Sequence, residues 1–226
     1  MITTHDILVL SGSGFFFALL SLTRFAFDLG FVHRPLFAAA LWALFTWQIQ
    51  PALGAGIFFE LLWLDLFPAG TFIPPQSLLA LSIVLTIAAC LPEADMRIIT
   101  LAIVCSLPLA YFGAWLEQLY RKRQNLSYNA VISWNRRHPV HSMTPQTLTR
   151  RALAELFLLY SGLFLLCVLP PLLILKTVGF WLGAGFQPTW PFLWAAACTG
   201  AILSLRIHKA QITAGLALLL GILMGI

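Results

Sequence analysis

The sequence predicts an all-α, polytopic integral membrane protein, and its composition is the first reason. Of the 226 residues, 60% are hydrophobic and only 9% are charged, and the mean hydropathy is +0.90. Soluble domains carry about 25% charged residues. A chain this poor in charge is expected to bury its surface in lipid. We expect residues 1–226 to form a single integral membrane domain.

Long uncharged runs give the expected membrane segments in order. A spanning helix needs about 20 residues to cross the hydrocarbon core of a bilayer. The N-terminal apolar run, 7–23, follows only an acidic residue, so we interpret it as a mature segment and not as a signal peptide. The later runs without any Asp, Glu, Lys or Arg are 35–59, 66–92, 98–116, 156–175, 177–205 and 210–226. Six to eight membrane segments are therefore expected.

Basic residues are concentrated in the middle of the chain. Seven of the 13 Lys and Arg residues lie in the polar segment 121–151. Because short loops rich in Lys and Arg stay on the cytoplasmic side of a membrane, this basic segment is expected to face the cytoplasm. We interpret it as a topology signal in contact with anionic lipid head groups, and not as a surface for nucleic acid.

Two carboxylates, Glu60 and Asp65, interrupt an apolar stretch at 54–76. An ionisable group at membrane depth is costly, and it therefore marks a candidate functional site. The two residues are five positions apart, which places them about 140° apart on a continuous helix. They share a face only if the helix breaks between them.

A break in the helix is expected directly after these carboxylates. Gly70 permits a tight reversal, and Pro74 and Pro75 each lack the N–H that a helix requires. Irregular backbone at membrane depth is stable only where protein or a water-filled cavity covers it. The sequence therefore predicts at least one broken or re-entrant hairpin around 66–78.

The second half repeats this pattern in outline. Its first apolar run is closed by Pro170 and Pro171, and its second is interrupted by Pro188 and Pro191. Interrupted segments in corresponding positions are typical of transporters built from internal repeats, although the second half lacks the carboxylates.

A series of residues between 28 and 80 stands in a distinctive order. It consists of Asp28, His33-Arg34-Pro35-Leu36, Gly56-x-x-x-Glu60, Leu64, Pro68, Gly70 and Pro75. In order and spacing, this series resembles the IIC membrane subunit of the mannose/fructose/sorbose family of the bacterial phosphotransferase system. A fainter similarity covers 125–134, where the chain reads Asn-Leu and then Ala-Val-Ile-Ser-Trp.

The resemblance implies a sugar site, with substrate-binding and supporting residues. The substrate-binding set is Glu60, Gln76, Asp65, Gly70 and Pro75, and the supporting set is His33, Arg34 and Asp28. Two positions depart from the family pattern: members commonly have Asp where this chain has Gln76, and a small neutral residue where it has Asp65. An amide donates and accepts hydrogen bonds whereas a carboxylate only accepts, so the recognised hydroxyl pattern should differ.

The resemblance also implies how the work is divided among subunits. A IIC subunit acts with a IID membrane subunit to hold the sugar, and IIA and IIB proteins deliver phosphate from their own histidines. The chain would then be a non-catalytic subunit of an oligomeric complex in the bacterial inner membrane, with no cofactor and no metal. None of its five histidines lies in a His-Glu-x-x-His motif.

Alternatives remain open at this point. Glu60 is either a sugar-binding carboxylate or a structural one paired with Arg34 or a neighbouring helix. Arg34 either orients a helix end or pairs with Asp28 or a site carboxylate. The chain is also somewhat shorter than is usual for the family it resembles. This length and the departures at Gln76 and Asp65 also admit a divergent IIC-like scaffold or sensor that no longer transports.

Overall fold

The structure is a computed structural model that describes residues 3–26, 31–32, 34–66, 73–91, 95–137, 145–178, 188–205 and 207–224. These residues form eight α-helices and include no strand. The helices are α1 (Thr4–Ala26), α2 (Pro35–Thr46), α3 (Ile49–Leu62), α4 (Ser77–Cys90), α5 (Met96–Arg137), α6 (Pro145–Val178), α7 (Trp190–Ser204) and α8 (His208–Met224).

Among the described residues, three helices are long enough and apolar enough to cross a membrane. The qualifying stretches, judged by length and composition, are Thr4–Thr23 in α1, Met96–Leu126 in α5 and Thr149–Thr177 in α6. The helices α2, α3, α4 and α7 are apolar but have only 12 to 15 residues. At about 1.5 Å per residue they extend roughly 18–23 Å, less than the hydrocarbon core.

The apolar run at 35–59 is divided between two helices, so its interpretation as one spanning segment is wrong. Trp47 adopts a left-handed conformation (φ 59°) and caps α2, and α3 begins two residues later. Ala39 faces Gly56 and Leu36 faces Glu60, which shows that α2 and α3 run antiparallel. The α2–α3 hairpin thus reverses the chain within the run.

The helix α4 is the centre of the fold. Every residue from Leu79 to Cys90 is buried, and α4 packs against α1, α2, α3, α5 and α6. A helix that is apolar on all sides has no polar face to offer water, so it is stable only where other helices surround it. Its start and its end are therefore fixed within the bundle.

The helix α6 pairs antiparallel with α1. Phe17 of α1 packs on Tyr160 and Phe164, whereas Asp6 near the start of α1 binds Lys176 near the end of α6. The expectation that Pro170 and Pro171 close this apolar run is wrong, since α6 continues to Val178. Burial of Leu172 and Leu175, together with the ion pair, holds the turns after the prolines against α1.

The helix α7 lies parallel to α3 through small residues. Gly54 of α3 contacts the ring of Trp190, and its carbonyl accepts the indole N–H of Trp194 at 3.0 Å. Further along both helices, Gly200 faces Leu62. The absence of a side chain at Gly54 therefore allows the indole to approach the α3 backbone closely.

Replacement of Gly54 by alanine is expected to destabilise the protein by about 1–3 kcal/mol, the usual cost of overpacking a core. A Cβ atom there would overlap the Trp190 ring. The control is Gly162→Ala on α6, where a Cβ meets nothing within 4 Å and helix propensity improves. Thermal unfolding in detergent distinguishes them, and equal midpoints would contradict this account of the α3–α7 contact.

Candidate functional site at the interruption between α3 and α4

The helix α3 ends at Leu62 and α4 begins at Ser77, so Glu60 precedes and Gln76 ends the segment between the two helices, here called the interruption. Residues 63–65 form a turn, and 73–76 are extended. Pro75 and Gln76 are buried. The end of the interruption next to α4 is therefore covered by protein, whereas Leu64 on its α3 side is exposed.

Glu60, near the end of α3, binds the start of α2 and so links the two helices of the hairpin at the end opposite their turn. Its Oε1 lies 3.1 Å from Nη1 of Arg34, and its Oε2 accepts the backbone N–H of Leu36 at 3.4 Å. Arg34 occupies the N-cap position of α2, so the guanidinium stands at the start of that helix. The sequence left Asp28 or a site carboxylate open as the partner of Arg34, and in the structure Arg34 pairs with the site carboxylate Glu60. The Glu60 side chain remains 20% exposed.

Asp65 binds a different helix. Its Oδ2 accepts the hydroxyl of Ser204, at the end of α7, at 2.5 Å. Its Oδ1 is buried and has no hydrogen-bond partner among the described residues. Although the helix does end between Glu60 and Asp65, the two carboxylates bind α2 and α7 respectively.

Gln76 joins the start of α4 to α5 by two hydrogen bonds. Its backbone N–H donates to the carbonyl of Ala110 at 3.1 Å. Its side-chain Nε2 donates to Oε2 of Glu117 at 2.9 Å. The amide Oε1 is buried without a hydrogen-bond partner in the described structure, and it lies beside Gly113.

Glu117 is a site residue that sequence reasoning missed. It is only 2% exposed, and its Oε1 accepts hydrogen bonds from Nη2 of Arg121 at 2.6 Å and from Nε at 3.1 Å. The i,i+4 spacing of Glu117 and Arg121 is visible in the sequence, but it suggests an ordinary surface pair at the edge of the basic segment. The structure shows instead a buried carboxylate in contact with Gln76, 41 positions earlier in the chain.

Three predicted site residues lie outside the described residues. They are Asp28, His33 and Gly70. For the residues that are described, the structure joins Glu60 to Arg34 and Gln76 to Glu117, and it places Asp65 against α7.

The arrangement offers hydrogen-bond acceptors and donors: Glu60 and Glu117 are each paired with an arginine, whereas Asp65 accepts a hydroxyl group. Within the described ranges, no group of three or more His, Cys, Asp or Glu side chains is placed to hold a metal ion. Glu60 and Glu117 present charged oxygens, and Gln76 presents an amide. The contact of Gln76 with Glu117 combines an amide, which donates and accepts hydrogen bonds, with a carboxylate, which accepts them, and both groups can bind hydroxyl groups.

Comparison of the chain with protein-family models, with curated proteins and with solved structures gives no significant match.

Proposed function

We propose that the chain is the IIC permease subunit of a mannose/fructose/sorbose-type phosphotransferase system in the bacterial inner membrane. The observation that carries the proposal is the interruption between α3 and α4, with Glu60 before it and Gln76 after it. A carboxylate beside broken helices is how transporters build a binding site near the bilayer midplane. The motif from residue 28 to residue 80 supports the same assignment.

The proposed membrane arrangement follows from helix length. The helices α1, α5 and α6 cross the bilayer, and the shorter apolar helices complete a set of six to eight membrane segments. We propose that α2 and α3 enter and leave on one side without crossing, and that the chain around 66–78 forms a second re-entrant element. At 66–78, burial of Pro75 and Gln76 supports cover of the irregular backbone by the surrounding helices, whereas Trp47 at the α2–α3 reversal is exposed.

The proposed mechanism assigns binding to this chain and phosphoryl transfer to its partners. Glu60 and Gln76 would bind sugar hydroxyls together with surfaces of a IID subunit. IIA and IIB proteins would supply the phosphohistidines and phosphorylate the sugar at the cytoplasmic side. The basic end of α5 and the start of α6, within 121–151, would provide the surface that these proteins or IID contact.

The direct test is reconstitution of this chain with IID, IIA and IIB proteins in vesicles. We expect uptake of a hexose that requires phosphoenolpyruvate and yields the sugar phosphate inside. Mannose, fructose and sorbose are the sugars to test first. A complex that assembles but transports none of them would contradict the permease assignment and favour the scaffold or sensor.

Cysteine labelling tests the proposed orientation. In a background without Cys90, Cys105, Cys167 and Cys198, Asn125→Cys on the exposed basic end of α5 should react with an impermeant thiol reagent only from the cytoplasmic side. Thr177→Cys, exposed near the end of α6, is the matched control and should react only from the opposite side. Labelling of Asn125→Cys in intact cells would mean that the basic end of α5 faces outward, which contradicts the proposed orientation.

A further inference from the structure

We propose that Glu117 is a sugar-contacting residue and that it forms, with Gln76, one recognition unit of an amide and a carboxylate. The inference rests on the proposed function and adds to it a residue on α5. Gln76 is the residue directly before α4, and Glu117 lies on α5, which packs against α4. They are joined by the 2.9 Å hydrogen bond from Gln76 Nε2 to Glu117 Oε2.

The burial of Glu117 is the first observation. A carboxylate that is 2% exposed keeps its charge only if hydrogen bonds and a cation replace water. Arg121 and Gln76 meet that need, yet the Arg121 side chain is 44% exposed. The carboxylate therefore sits between a buried amide on one side and a partly solvated cation on the other.

The second observation is the unpartnered oxygen of Gln76. The amide is oriented with Nε2 toward Glu117, because a carboxylate only accepts hydrogen bonds. This orientation leaves Oε1 buried with no donor in the described structure, which costs free energy unless a donor is supplied. A sugar hydroxyl can donate to Oε1 while a neighbouring hydroxyl donates to Glu117.

Gly113 provides the space that the amide occupies. An added Cβ atom at Gly113 would stand 2.8 Å from Gln76 Oε1 and 2.8 Å from Leu79 Cδ2. Distances this short are not observed for real Cβ atoms, so a larger residue would displace the amide. The small residue on α5 therefore belongs to the same unit as Gln76 and Glu117.

If Gln76 and Glu117 act as one unit, sugar binding requires one amide and one carboxylate in the pair, and the two groups can exchange positions. Glu117→Gln removes the charged acceptor without changing its volume, and Gln76→Glu places two carboxylates in contact. The double variant Gln76→Glu with Glu117→Gln again has one amide and one carboxylate. We expect each single variant to weaken sugar binding about tenfold or more, and the exchange to recover most of the loss.

The experiment measures binding of radiolabelled mannose, fructose and sorbose to the purified complex with IID, and thermal unfolding of the same samples. Glu155→Gln is the matched control, because Glu155 also pairs with an arginine four positions away but is 54% exposed. It should bind sugar like the wild type. Recovery of stability without recovery of binding in the exchange variant would mean a purely structural pair and overturn the inference.

Two further outcomes separate this inference from the proposed function. A wild-type complex that binds a sugar, with Glu117→Gln binding it equally well, overturns only the role of Glu117. A wild-type complex that binds none of the sugars overturns the proposed function and the inference together.

Discussion

Replacement of Glu60 by glutamine is expected to reduce sugar binding by about tenfold or more while the protein still inserts and folds. The substitution preserves volume but removes the charge, and hydrogen bonds to charged groups contribute about 1.5–3 kcal/mol, where each ~1.4 kcal/mol is about tenfold in affinity. The Glu60 side chain is only partly buried, so hydroxyl groups can reach it beside Arg34. Titration of the IID-bound complex with radiolabelled sugar measures the effect.

Because Glu60 also holds two helices together, lost sugar binding must be distinguished from lost stability. Its carboxylate also accepts the N–H of Leu36 and therefore holds α2 to α3. Glutamine retains an acceptor oxygen for that N–H, so we expect a small change in the unfolding midpoint. Arg34→Met breaks the same ion pair but keeps the carboxylate. Equal binding by wild type and Glu60→Gln would refute the sugar-binding role of Glu60.

Replacement of Lys176 by methionine is expected to destabilise the protein by about 3–5 kcal/mol, because it leaves a buried carboxylate without its cation. Asp6 Oδ2 lies 2.6 Å from Lys176 Nζ, and the two side chains are 2% and 17% exposed. The backbone N–H and hydroxyl of Thr3 also donate to Asp6, at 2.6 and 2.9 Å. The pair therefore joins the start of α1 to the end of α6.

Two further variants test whether the stability lost in Lys176→Met is the cost of an unpaired buried charge. Asp6→Asn combined with Lys176→Met removes both charges and should recover most of the lost stability, since the cost is that of an unpaired buried charge. Glu155→Gln, which breaks an exposed pair with Arg151, should change stability by about 0–1 kcal/mol. Unfolding in detergent measures all three. A Lys176→Met midpoint equal to that of Glu155→Gln would mean that the pair contributes nothing.

Several features of the fold are predictable from sequence because they depend on local composition. Low charge and long apolar runs predict helices suited to lipid, and the described residues contain three helices of that kind. Gly70, Pro74 and Pro75 predict an interruption, and the described residues between α3 and α4, 63–66 and 73–76, are not helical. Prolines and charges act on the backbone within a turn or two, so their effects can be read along the chain.

Other elements were decided by packing. Pro170 and Pro171 suggest a helix end, yet α6 continues past them, with Leu172 and Leu175 buried and Lys176 paired with Asp6 of α1. The reversal at Trp47 has only weak sequence signals, namely Gln48 and Gln50 in an apolar run and a proline in the first turn of α3. In α6, tertiary contacts outweigh the local preference of the two prolines.

By itself, the sequence determined that this chain is helical and apolar, and that Glu60 and Gln76 lie on either side of a break. Only the tertiary structure decided their partners, which are Arg34 for Glu60 and Glu117 for Gln76. The pair of Asp6 and Lys176 is separated by 170 positions. Apolar helices carry little information about which neighbour they meet, whereas a buried polar group must find a partner in space. The packing of distant helices therefore fixes the polar pairs.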